Sequence, residues 1–129
     1  MINALYECKI LDPACGSGAF PMGVLQKLVH ILQKVDPQNK MWEKVQKEKA
    51  EKELQLALDI EDKKDREIRL MEISNSFDVT RNTPDYARKL YLIENCIYGV
   101  DIQPIATQIS KLRFFISLVV DQKNNLRID

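Results

Sequence analysis

From Lys9 to Phe20 the chain reads Lys-Ile-Leu-Asp-Pro-Ala-Cys-Gly-Ser-Gly-Ala-Phe, and no other stretch limits its folding so sharply. A short apolar run ends on an acid, a turn of small residues follows, and an amphipathic helix is predicted to start at about Phe20. The turn holds Ala14, Gly16 and Gly18, so backbone can approach a ligand where larger side chains would collide. The helix start beyond it offers N–H groups with no partner inside the helix. Such a turn can hold a small polar molecule.

Which molecule follows from what flanks the glycines. A triphosphate loop needs Lys and then Ser or Thr after its last glycine, and here Ala19 and Phe20 follow Gly18. A dinucleotide fingerprint needs three glycines at fixed offsets, and Asp12 would set a negative charge beside a pyrophosphate. The stretch Asp12-Pro13-Ala14-Cys15-Gly16-Ser17-Gly18-Ala19-Phe20 resembles instead the first motif of S-adenosylmethionine-dependent methyltransferases, in the form found in N6-adenine DNA methyltransferases of restriction-modification systems. That cofactor carries an ammonium and a sulfonium, which an acidic strand end favours.

A second stretch, Ile97-Tyr98-Gly99-Val100-Asp101-Ile102-Gln103-Pro104, repeats the layout of an apolar run ending on an acid. An aspartate at the end of a neighbouring strand can accept hydrogen bonds from both hydroxyls of a ribose, and the apolar residue after it can cover an adenine ring. Asp101 and Ile102 have those types in that order. A strand-ending aspartate alone also serves as a helix cap or turn former; the earlier glycine loop favours the ribose reading. Tyr98 to Pro104 resembles the second cofactor motif of the same family, and Ser110-Lys111-Leu112-Arg113 in the following helix looks like that family too.

Composition bounds the rest. At 129 residues there is room for one compact core. With 19 basic and 19 acidic residues, no global basic field advertises nucleic acid. No stretch approaches the roughly 20 apolar residues of a membrane span, and no basic segment with an apolar secretory core opens the chain. The expectation is a cytoplasmic protein with no membrane partner. Cys8, Cys15 and Cys96 lack zinc spacing, and His30 is the one histidine. Cys8 and Cys96 are read as buried packing residues, Cys15 as fitting the space in the turn, and His30 as a surface residue.

Met1 to Glu7 are too few for an element of their own, and Tyr6 to Leu11 is predicted as the first strand. Val24, Leu28, Ile31 and Val35 then predict an amphipathic helix ending near Asp36-Pro37. From Met41 to about Ile73, acid-first pairs at a spacing of four, Glu43/Lys47, Glu48/Lys52 and Asp65/Arg69, predict two charged helices turning near Asp59 to Lys63. They read either as a solvated insertion or as a contact surface for DNA or a further domain, with Trp42 packing at the base. Asn75 to Asn82 is predicted as a loop. Thr83-Pro84-Asp85 starts the next helix, which runs to about Asn95. Beyond Pro104, the stripe Ile105, Ile109, Leu112, Ile116 and Val119, widened by Phe114, Phe115 and Leu118, is predicted to face the core, and Asn124 to Asp129 to begin a connection.

The resemblance covers roughly Ile10 to Met22 and Leu90 to Leu118. It implies an α/β, Rossmann-like methyltransferase fold, partial, with a charged helical insertion: 1–36 the first strand, loop and helix, 37–82 the insertion, 83–129 the second strand and helix. It implies the cofactor part of an adenine-specific DNA methyltransferase, an enzyme type often fused to an endonuclease. Such enzymes flip an adenine from the duplex and let its amino nitrogen attack the sulfonium methyl in line. On that pattern Asp12, Pro13, Ala14, Cys15, Gly16, Ser17, Gly18 and Phe20 hold the methionine portion, with Asp12 near the ammonium, while Asp101 binds ribose and Ile102 packs on adenine. The family's catalytic tetrapeptide, Asn or Asp, Pro-Pro, then Tyr or Phe, is absent, since all five prolines are isolated. Duplex DNA is therefore expected to be bound through other parts of a larger protein, with no catalytic or metal residue in this stretch. A half-domain of that kind would leave sheet edges uncovered, so self-association is a further expectation. Rival readings are a non-catalytic helical interaction module, and methylation of RNA, protein or a small molecule.

Overall fold

The computed structural model describes residues 1–125. Its elements are α1 (Ile2–Glu7), β1 (Ile10–Asp12), α2 (Ala19–Val35), α3 (Lys40–Leu58), α4 (Lys63–Asn82), α5 (Pro84–Asn95), β2 (Ile97–Gly99) and α6 (Pro104–Asn125). The two strands pair in parallel, Ile10 with Ile97, Leu11 with Tyr98 and Asp12 with Gly99. This corrects the expected α/β, Rossmann-like architecture. Each strand has three residues and the described sheet has two strands, so helix packing and not a sheet forms the body of the molecule.

The core explains why. Leu25, Leu28 and Leu32 of α2 pack with Leu92, Cys96 and Ala87 from the α5 side and with Tyr6 and Trp42. Tyr6, Trp42 and Tyr91 form an aromatic cluster with ring centroids 5.1 to 5.9 Å apart. Burial pushes the Tyr6 hydroxyl up to about 12 against the opposing pull of Arg88. Tyr6 belongs to α1, so the first seven residues do form an element and the first strand starts later than expected. A helix of six residues is too short to hold itself together, and its contact with this cluster is what stabilises it.

The link between α2 and α3 is a polar knot. The Asp36 carboxylate accepts from Met41 N–H at 3.3 Å and Trp42 N–H at 3.0 Å, covering donors at the start of α3. Asn39 sits at φ 57° and its amide donates to Asp85 at 3.0 Å. Arg88, 2% exposed, donates to the Asp36 carbonyl at 3.3 Å and lies 3.5 Å from Asp85. Trp42 is thus held at the root of the α3–α4 hairpin, as a packing anchor.

Within that hairpin α4 runs unbroken to Asn82, so the expected loop at Asn75 to Asn82 is helix. Its polar composition hid a narrow inward stripe: Ile73 and Thr80 are buried and Phe77 half-buried, at spacings of four and three. The turn falls at Asp59 to Asp62, where the Asp62 carboxylate caps α4 by accepting from Lys64 and Asp65 N–H at 2.8 and 3.0 Å. None of the three acid-first pairs forms among the described residues. The ion pairs are Lys49–Glu53, Lys63–Glu67, Arg69–Glu72 and, between the helices, Arg69–Glu53 at 3.5 Å.

α6 gives the largest departure in packing. Ile105, Ile109, Leu112, Phe115 and Ile116 are all exposed, the first by 69%, so most of the stripe expected to face the core faces outward, while Phe114, Leu118 and Val119 are half-buried. The helix is fixed by its other side, through buried Ser110, half-buried Phe114 and the Lys89–Asp121 ion pair at 2.8 Å. It runs on through Asn125, where a connection was expected, and the remainder of that predicted segment lies outside the described residues. Cys96 is fully buried, Cys8 only half so, and His30 is exposed. Among the described residues no helix is long and apolar enough to cross a membrane.

Candidate functional site

Because β1 and β2 run in parallel and in register, Asp12 and Asp101 leave the sheet from the same end. Backbone then stitches the two exits together. Val100 N–H donates to the Asp12 carbonyl at 2.9 Å, and Cys15 N–H donates to the Val100 carbonyl at 2.9 Å. The Asp12 carboxylate turns back to accept from Ala14 N–H at 3.1 Å. Residues 12 to 15 therefore wrap over the end of β2.

The carboxylate of Asp101 completes the frame. Its Oδ2 accepts from Gly16 N–H at 2.9 Å and its Oδ1 from Gln103 N–H at 2.8 Å. One side chain ties the glycine turn to the segment that follows β2. Each carboxylate oxygen has capacity for a further hydrogen bond, so both can still accept from outside.

Two glycines stand at positive φ, Gly16 at 53° and Gly18 at 86°. Gly16 has open space where a Cβ would be, and only backbone conformation demands it. Gly18 has no such space. A Cβ there would run into the Ser110 side chain and lie 3.2 Å from its Cα, so α6 rests directly on the start of α2. Gly99 plays the matching part for Cys15, whose Cβ and Sγ would be 3.1 Å from a Cβ at that position. Cys15 is buried against that gap. Behind the loop, Cys15, Gly99, Ser110, Lys111 and Phe114 help to line a cavity of about 150 Å³ on the helical side of the sheet.

The structure thus brings Asp12, Pro13, Ala14, Cys15, Gly16, Ser17, Gly18 and Asp101 into one hydrogen-bonded unit. Phe20 and Ile102 stand at its rim, 62% and 95% exposed. Among the described residues Ile102 has almost no cover. Sequence reasoning missed Ser110, Gly99 and the Gln103 N–H as parts of this frame. A signal for Ser110 was present, since it opens the Ser110-Lys111-Leu112-Arg113 stretch that looks like the family. Among the described residues no cluster of His, Cys, Asp or Glu has the make-up of a metal site.

Chemically the unit offers two carboxylates, a close-approach backbone turn, first-turn N–H groups of α2 and two exposed apolar side chains. That donor set suits a ligand with a cationic end, a diol and a flat apolar ring. Over 119 residues, 92% of its length, this chain is 29% identical to a protein of Methanocaldococcus jannaschii named "Putative type II restriction enzyme and methyltransferase". The chain spans 7% of that relative's length. No protein-family model matches the chain, and no solved structure matches it significantly.

Proposed function

We propose that this chain is the S-adenosylmethionine-binding part of a DNA methyltransferase of a restriction-modification enzyme, acting on the N6 amino group of adenine. The observation that carries the reading is the Gly16 N–H to Asp101 hydrogen bond, which joins the two cofactor-like motifs at one strand end. The likeness to a relative named for restriction and methylation supports the enzyme class.

In this reading the residues divide the work by chemistry. Asp12 faces the cofactor's ammonium, and the turn from Pro13 to Gly18 lets backbone close on the methionine portion. Asp101 accepts from the ribose hydroxyls with the capacity its two backbone donors leave free. Ile102 and Phe20 bury apolar surface against the adenine ring and the adjoining chain. The cofactor supplies the methyl group. What the chain's own residues do is hold that donor in one orientation, so that an incoming amino group meets it in line.

The test is calorimetric titration of S-adenosylmethionine, and of its demethylated product, into the chain and into Asp101→Ala. Binding to the first with loss of at least tenfold in the second is the expected result. The outward apolar face of α6 favours a second reading, a helical interaction module without cofactor, which predicts no heat with either ligand in the full-length protein.

A further inference from the structure

The α3–α4 hairpin is not uniform in charge. Its ion pairs lie in the outer half, Lys49 with Glu53, Lys63 with Glu67, and Arg69 with both Glu53 and Glu72, while Lys52, Lys64 and Arg66 stand there outside any ion pair among the described residues. Near its root the pattern changes. Lys40, Lys44 and Lys47 follow one another at spacings of four and three and so share one face of α3, and Arg81 comes from the end of α4 beside them. Among the described residues none of these four pairs with a carboxylate. They border a groove of about 530 Å³ whose floor carries Phe77 and Thr80, and Glu43 adds a single carboxylate. The Thr80 hydroxyl is already spent on the Ser76 carbonyl, so the groove's outward chemistry is that of the cations.

In a chain whose formal charge is zero, four cations set against the one carboxylate of Glu43 around a single groove leave a local excess of positive charge. Three lysines spread over seven residues of helix span about 10 Å, at about 1.5 Å per residue. Successive phosphates on one DNA strand advance about 3.4 Å along the duplex axis, so that row matches about three of them. We propose that this groove at the root of the hairpin grips the phosphate backbone of duplex DNA. The choice of duplex DNA rests on the function proposed above; the anionic backbone rests on the groove itself. The contact orients the substrate and carries no sequence information.

Fluorescence anisotropy with a labelled 30-base-pair duplex and the whole chain, without S-adenosylmethionine, tests it. Binding should weaken with salt with a log–log slope of about −3, and Lys44→Gln/Lys47→Gln/Arg81→Gln should weaken it at least tenfold and flatten the slope by about 2 to 3. All three residues are exposed, and unchanged helical circular dichroism checks that the fold is kept. A control with the same charge change at the tip, Lys52→Gln/Lys63→Gln/Lys64→Gln, should cost less than threefold. Equal losses in the two triple variants would overturn the proposal, as a net-charge effect. So would no duplex binding at low salt, or equal competition by polyglutamate, which would assign the groove to an acidic protein segment. Calorimetry with the cofactor is independent of these residues. DNA binding lost with cofactor binding intact is expected of the groove variant, and cofactor binding absent with DNA binding intact would overturn the cofactor reading alone.

Discussion

The turn between β1 and α2 takes its shape from partners 85 positions away, whereas the α3–α4 hairpin takes its shape largely from neighbours three and four positions apart. In the turn, the Cys15 and Gly16 N–H groups are each fixed against an atom 85 positions away, and two positions tolerate only glycine-like backbone. In the hairpin, exposed ion pairs of modest strength share the work with helix propensity, and losing one leaves the others unchanged. The difference predicts where single substitutions act: severely at the points where chain segments from far apart meet, and weakly along the hairpin.

The root of the hairpin is where its local logic stops, so the largest effect belongs there. Trp42→Ala should cost about 4 kcal/mol in urea unfolding, since a fully buried indole leaves a cavity among Tyr6 and Tyr91. A cost under about 1 kcal/mol would make the root as tolerant as the tip. Gly18→Ala comes next, at about 3 kcal/mol, combining left-handed strain with collision against Ser110. Adding Ser110→Gly should return about half of that loss. If it returns nothing, the close approach of α6 to the turn is not what makes Gly18 necessary. Gly16→Ala has the same sign of φ and open space around it, and should cost about 1 kcal/mol. Arg69→Ala, which removes two ion pairs at the exposed surface, should change stability by less than about 0.5 kcal/mol.

The same contrast explains what could be read from residues alone. The glycine turn, the helix start beyond it and the Pro84 start of α5 were legible because glycine and proline restrict backbone directly. Even there the reason can differ: Thr83 sits where a capping residue was expected, yet its hydroxyl donates back to the Val79 carbonyl at 2.9 Å. α1 was not legible, because six residues have no internal stability and only the aromatic cluster holds them. Nor was the orientation of α6. The period of Ile105, Ile109, Leu112 and Ile116 establishes that an apolar face exists and says nothing of which neighbour covers it. The extent of the sheet failed for a related reason, since a parallel strand beside the glycine turn does not dictate how many more strands follow.

The bond from Gly16 to Asp101 also has a consequence in time. Local helices close quickly, because their contacts span few residues, while a contact between positions 16 and 101 must wait for the chain between them to be organised. The turn is then late to acquire its shape and early to surrender it, before α2 loosens, and the Tyr6–Tyr91 contact, which spans the same 85 positions, has to wait in the same way. Hydrogen exchange would register that order as amide protection at Gly16 that opens with less free energy than protection at Leu28, and that disappears in Asp101→Ala while Leu28 keeps its own. A ligand seated on the turn would meet a surface that exists only once both ends of the chain have arrived.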